Sequence, residues 1–241
     1  MKNKMILNLS AVAALVLGAT FAYAGAGAGT GVVNSKHDMR SYAASHGGSA
    51  DSLQRVCAYC HTPHHAVDDA NADYMPLWSR TVSAGTFAGY KSTTFSQSAN
   101  VTDPVVGPSR LCMSCHDGAV AIDAYYGAAG TATMVGDDNF AGVASNHIGV
   151  GADPKSLTND HPIGFEYALA KAADAEIAPA TSVFKGGTAT IDSVLWANAG
   201  GKKIMTCATC HDVHNGPSVV DGAFIYGKQA DSAFCTSCHI K

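Results

Sequence analysis

The eight cysteines of this 241-residue chain occur only as four C-x-x-C pairs, and a histidine follows every pair directly. The four sets are Cys57, Cys60 and His61; Cys112, Cys115 and His116; Cys207, Cys210 and His211; and Cys235, Cys238 and His239. With 11 histidines in the chain, four such neighbours would arise by chance roughly five times in a million if positions were independent. C-x-x-C-H is the attachment sequence of c-type haem. In that use the two thiols form thioether bonds to the haem vinyl groups, and the histidine ligates the iron from the adjacent face. A chain read this way must fold around four covalently bound haem c groups.

Other uses of the same residues explain less. Two Cys₄ zinc sites would leave all four histidines idle. Disulfides within the pairs would close only very short loops and stabilise little. A thioredoxin-like site needs one pair beside a βαβ pattern, not four pairs in loop-like surroundings.

The N-terminus bears on compartment. Lys2 and Lys4 precede the apolar stretch "MILNLSAVAALVLGATF", and Ala22-Tyr23-Ala24 supplies small residues at the two positions a signal peptidase reads. Residues 1–24 are therefore expected to be a signal peptide, and 25–241 a single exported domain. No later stretch approaches the ~20 apolar residues of a membrane span. Without Lys2 and Lys4 the 15 basic residues become 13, against 19 acidic ones. That balance disfavours nucleic acid or an anionic membrane surface as partner. Gly and Ala are abundant while large aliphatic residues are sparse, so side chains alone would struggle to offset the ordering entropy of the chain. Haem surface is expected to supply much of the interior.

Four irons also need distal ligands, and seven histidines remain: His37, His46, His64, His65, His147, His161 and His214. Methionine is the competing ligand. However, Met113 lies inside a C-x-x-C-H motif and Met205 just before one, while Met39, Met75 and Met134 sit in no ligand-like setting. Four bis-histidine haems of low potential are expected. In "CHTPH", His61 commits its segment to one face of its haem, so His64, three residues on, reaches a neighbouring iron instead. "CHDVH" repeats the device with His211 and His214. His161 precedes a proline that holds it extended, at the entrance to a helix-like run. His37 has Asp38 beside it, a carboxylate that could orient a ligating ring. His46, His65 and His147 read as exposed loop side chains. Six-coordinate iron leaves no open position for substrate, so the chain reads as an electron carrier and not an enzyme.

Along the chain, Cys112 comes 51 positions after His61, Cys207 91 after His116 and Cys235 24 after His211. A helix is expected over Glu166–Ala178, closed by Pro179, with a short strand pair near "GTATIDSVLW" and "AFIYG". The fold class is mostly irregular coil with few short helices, a multihaem cytochrome c wrapped around four stacked covalent haems.

Taken in order, "NSKHDM", "VCAYCHTPHH", "PLWSR", "SRLCMSCHDGAVA", "LTNDHPIGFEYA", "MTCATCHDVHN" and "FCTSCH" resemble the exported multihaem cytochromes with doubled C-x-x-C-H motifs. The likeness is to the OmcE-type tetrahaem cytochromes and runs from about Asn34 to His239. It implies self-association into an extracellular filament in which stacked haems form a continuous wire. One distal histidine would come from the adjacent subunit, with His37 the expected donor and His46 its substitute. Redox-partner cytochromes and extracellular electron acceptors are the implied partners. A monomeric periplasmic electron shuttle is the alternative, and a nitrite- or hydroxylamine-type reductase a more distant one, which would need a five-coordinate haem. On this reading a Cys-to-Ser chain without haem should be largely unfolded, as small metallo-domains are without their metal. Native-like circular dichroism from that variant would contradict it.

Overall fold

The computed structural model describes residues 27–40, 51–64, 66–117, 124–126, 148 and 155–240. The expectations for residues 1–24 and for His46, His65, Met134 and His147 lie outside the described residues. Among those described, regular structure comes in short pieces. Helices are α1 (Pro108–His116), α2 (Tyr167–Ala173), α3 (Ile191–Val194), α4 (Cys207–Cys210) and α5 (Cys235–Cys238). Strands β1 (Trp196–Ala197) and β2 (Lys203–Ile204) form one antiparallel pair, with Trp196 opposite Ile204. Single 3₁₀ turns cover Val56–Tyr59, Gly222–Phe224 and Ala230–Ser232. The rest is coil, as the composition implies.

The longest helix, α1, starts where proline presets its first turn. Gly107, at φ +53°, leads into it, and a Cβ there would fall 2.5 Å from the Trp196 ring. Only glycine fits that approach. Leu111 packs with Trp78 and Val82, while Met113 packs with Phe87, Val105 and Leu157. The helix thus separates two small apolar clusters.

Two sequence expectations are corrected. The helix expected over Glu166–Ala178 stops at Ala173, because Asp174 is extended and its carboxylate accepts from the Glu176 amide at 2.8 Å. The chain beyond runs beside the fourth motif: Ala178 N donates to Cys238 O and Ile240 N to Glu176 O, both at 2.8 Å. Tertiary pairing overrides helix propensity there. The two segments expected to pair as strands do not pair with each other. Thr190 caps α3 inside the first, and only Trp196, at its end, enters a strand, against Ile204. In the second, Ile225 bridges to His211 and Asp221.

Buried apolar side chains gather in three clusters among the described residues. The largest holds Phe165, Tyr167, Ala170, Ala178, Phe184, Ile191, Leu195 and Met205, with Cys210 and Cys238 against it. Arg110, 5% exposed, ties α1 to the preceding loops through Asp103 and the carbonyls of Ser83 and Gly85.

Ahead of the first motif, the Asp51 carboxylate accepts from the Arg55 amide at 2.6 Å and from its guanidinium at 2.7 Å. These bonds hold the Asp51 carboxyl down at about 2. A depressed native pKa stabilises fully above the unfolded value of about 4, and that contribution is lost as pH falls through the native one. Amide exchange at Arg55 should therefore accelerate, relative to its intrinsic rate, between pH about 4 and 2. Asp51→Asn should abolish that pH dependence.

Candidate metal centres

Each C-x-x-C-H sequence forms one helical turn. In the first, third and fourth motifs the histidine amide donates back to the first cysteine carbonyl: His61 to Cys57 at 2.8 Å, His211 to Cys207 at 3.1 Å and His239 to Cys235 at 3.1 Å. The second motif ends α1. Residues at i, i+3 and i+4 share one face of a helix, so both thiols and the imidazole project to the same side. Thr206 and Thr209 close a capping box over the third turn.

Three of the motif histidines face a spare histidine far away in sequence. The ring centres are 6.1 Å apart for His61 and His214, 6.3 Å for His116 and His37, and 6.2 Å for His239 and His161. Two imidazoles sharing one metal, each at the usual nitrogen–metal distance of about 2 Å, have centres about 6 Å apart. The residues present therefore fit an iron held between each pair.

Hydrogen bonding and burial favour the ligating form of the ring. Nδ1 of His61 lies 2.8 Å from Pro76 O, Nδ1 of His211 lies 2.6 Å from Ala223 O, and Nδ1 of His161 lies 3.0 Å from Pro162 O. A proton on Nδ1 donates to the carbonyl and leaves the Nε2 lone pair for a metal. Burial lowers the pKa of His37 and His161 and pushes His116 down to about 4, with His37 and His211 adding to the last shift. Nδ1 of His37 is buried without a hydrogen-bond partner.

Motifs adjacent in sequence are adjacent in space. Cys115 lies close enough to Cys60 to raise its pKa, Cys207 likewise raises that of Cys112, and Cys238 that of Cys210. Burial pushes Cys60 and Cys210 up to about 12 and Cys238 to about 11. Such thiols are poor thiolate nucleophiles, which disfavours a thioredoxin-like use.

No protein-family model matches the chain, and no curated protein matches it.

One expectation about a spare histidine meets a different arrangement. Asp38 does not orient His37, because its carboxylate takes Arg40 at 2.6 and 2.7 Å and the Asn34 amide at 2.8 Å. Phe224 does so instead, stacked on the His37 ring at 4.7 Å and 19°. His64 is exposed, and among the described residues no ring lies against it. His211 likewise faces no second imidazole among them. Met113 and Met205 are buried within apolar clusters.

Sequence reasoning missed the residues that deliver these rings. Trp78 meets His61 edge-on at 5.9 Å. Buried Asn215, at φ +51°, follows His214 and fastens the N-terminal segment. Its side chain accepts from Gly29 N at 2.9 Å and donates to Gly27 O and Gly31 O at 2.9 and 3.0 Å. An asparagine after C-x-x-C-H-x-x-H carries no signal of that role by itself. Asn215→Ala removes three hydrogen bonds worth about 1 kcal/mol each. It should free residues 27–31, seen as lost amide protection at Gly29 and Gly31 with protection at Thr209 retained.

Proposed function

We propose that the chain is an exported tetrahaem c-type cytochrome that carries single electrons and assembles into an extracellular filament. The observation supporting this best is the set of three histidine pairs at the spacing an iron requires. Each joins a C-x-x-C-H histidine to a spare one distant in sequence. Cys57/Cys60, Cys112/Cys115, Cys207/Cys210 and Cys235/Cys238 would hold the four haems. His61 with His214, His116 with His37, and His239 with His161 would ligate three irons, and His211 the fourth.

When bound, haem supplies the one-electron ferric/ferrous couple. The chain's own contribution is to fix, orient and desolvate. One-turn helices set thiols and imidazole on one side, carbonyls select the ring tautomer, and apolar clusters flank all four motifs. Adjacent motifs being neighbours in space supports passage of electrons from one haem to the next. An iron held by both imidazoles of such a pair would keep no position for substrate, hence a carrier and not an enzyme.

The resemblance to filament-forming cytochromes implies a distal ligand donated between subunits. Because His37 already faces His116 within the chain, His211 is the better candidate to receive that ligand. Exposed His64 is the better candidate to give it.

Intact mass and a pyridine haemochrome spectrum of the secreted protein should count four covalent haems; a mass equal to the bare polypeptide ends the proposal. Electron microscopy of the same material should show filaments, whereas monomers alone would leave a diffusible carrier. His64→Ala should yield one high-spin haem and no filaments. Normal filaments with four low-spin haems would remove the intersubunit role of His64 and leave the haem count standing.

A further inference from the structure

Two motif histidines are seated by the same three-residue device, drawn from unrelated stretches of sequence. Around His61 the segment is Pro76–Leu77–Trp78. Nδ1 of His61 is bonded to Pro76 O, Thr62 N donates to Leu77 O at 2.8 Å, and Trp78 forms an antiparallel bridge with His61. Around His211 the segment is Ala223–Phe224–Ile225. Nδ1 of His211 is bonded to Ala223 O, Asp212 N donates to Phe224 O at 2.8 Å, and Ile225 bridges with His211. The middle residue is left-handed in both, with φ +53° at Leu77 and +61° at Phe224, and in the second segment Ala223 is left-handed as well, at φ +55°.

His239 supplies an internal control. Ile177 bridges with it and Ile240 N donates to Glu176 O at 2.8 Å, the same register as the other two. Yet Glu176 is not left-handed, and among the described residues no carbonyl accepts from the His239 ring. Across these three segments the left-handed middle residue and the bond to the motif ring occur together. Leu77 is also 53% exposed, so burial of its side chain does not account for a conformation that non-glycine residues avoid. The conformation serves the backbone: it turns the preceding carbonyl onto the imidazole.

We propose that these segments are straps that hold His61 and His211 as hydrogen-bonded, electron-rich ligands, with Leu77 and Phe224 as positioning residues. The inference rests on the haem reading above. A carbonyl accepting from Nδ1 raises the donor strength of the ring and favours ferric iron, which lowers the potential. His61 and His211 are thereby set apart from His239, whose iron would take its carbonyl-bonded ring from the spare His161 instead. Phe224 also stacks on His37, so the second strap touches the ligands of two irons at once.

Leu77 allows a clean test because its side chain is largely in solvent. Leu77→Val puts a β-branched residue where the left-handed region is most disfavoured. Leu77→Gly keeps that region open. In the purified haem-loaded protein, potentiometric titration followed by electron paramagnetic resonance should show one of four midpoints moving positive in Leu77→Val. One low-spin signal should change with it, and neither change should appear in Leu77→Gly. Four unmoved midpoints in Leu77→Val, or equal shifts in both variants, would overturn the proposal.

The unmodified protein gives a second reading if the valine variant does not accumulate. Hyperfine-shifted ring N–H resonances of His61 and His211 should persist in D₂O after that of His239 has exchanged. Equal exchange at all three would also overturn the straps. A chain without haem would show no such resonances, which is failure of the cofactor reading and not of the straps.

Discussion

The hydrogen bond from a histidine amide to the cysteine carbonyl four residues earlier governs this structure. It converts a five-residue string into one helical turn, and the turn puts two thiols and an imidazole on a common side. Little else in the chain needs to be regular. The segments between motifs can be coil because their task is to bring a second imidazole, or a carbonyl, to a ring already aimed. Three of the four motif turns are one-turn elements, and the fourth ends a helix of nine residues.

Packing follows from the same arrangement. The apolar residues form separate clusters instead of one continuous core, and two of those clusters include motif cysteines among their neighbours. Side chains with strong directional demands fill the space between. Arg80 and Arg110 are both almost fully buried; Arg80 reaches the carbonyls of Tyr59 and Ser114, and Arg110 those of Ser83 and Gly85. Loops held by buried polar bonds keep a defined shape without a sheet or bundle to lean on.

The motif turns and the coil-rich character are legible in the sequence, because motif spacing and composition specify them, and His37, His161 and His214, expected as ligands, lie beside motif histidines. His214 and His161 could be picked out by a neighbouring motif and a following proline. What faces what could not, since His61 with His214 and His37 with His116 are long-range contacts set by tertiary packing. Local patterns misled where a distant segment took over the backbone. Asp174–Ala178 reads as helix yet pairs beside His239, and Asp38 reads as a partner for His37 yet binds Arg40. Left-handed Leu77 and Phe224 carry no local signal, because neither residue type favours that region.

The pairing of His61 with His214 has a temporal side. On the haem reading, the first haem can be attached once residue 61 is available, but its sixth ligand lies 153 residues later. His64, three residues on, is directed to a neighbouring iron and could not fill that position. On that reading, maturation would pass through an iron kept open until the C-terminal third arrives. Assembly of such a site would then be governed by the order in which its histidines emerge as much as by their final positions.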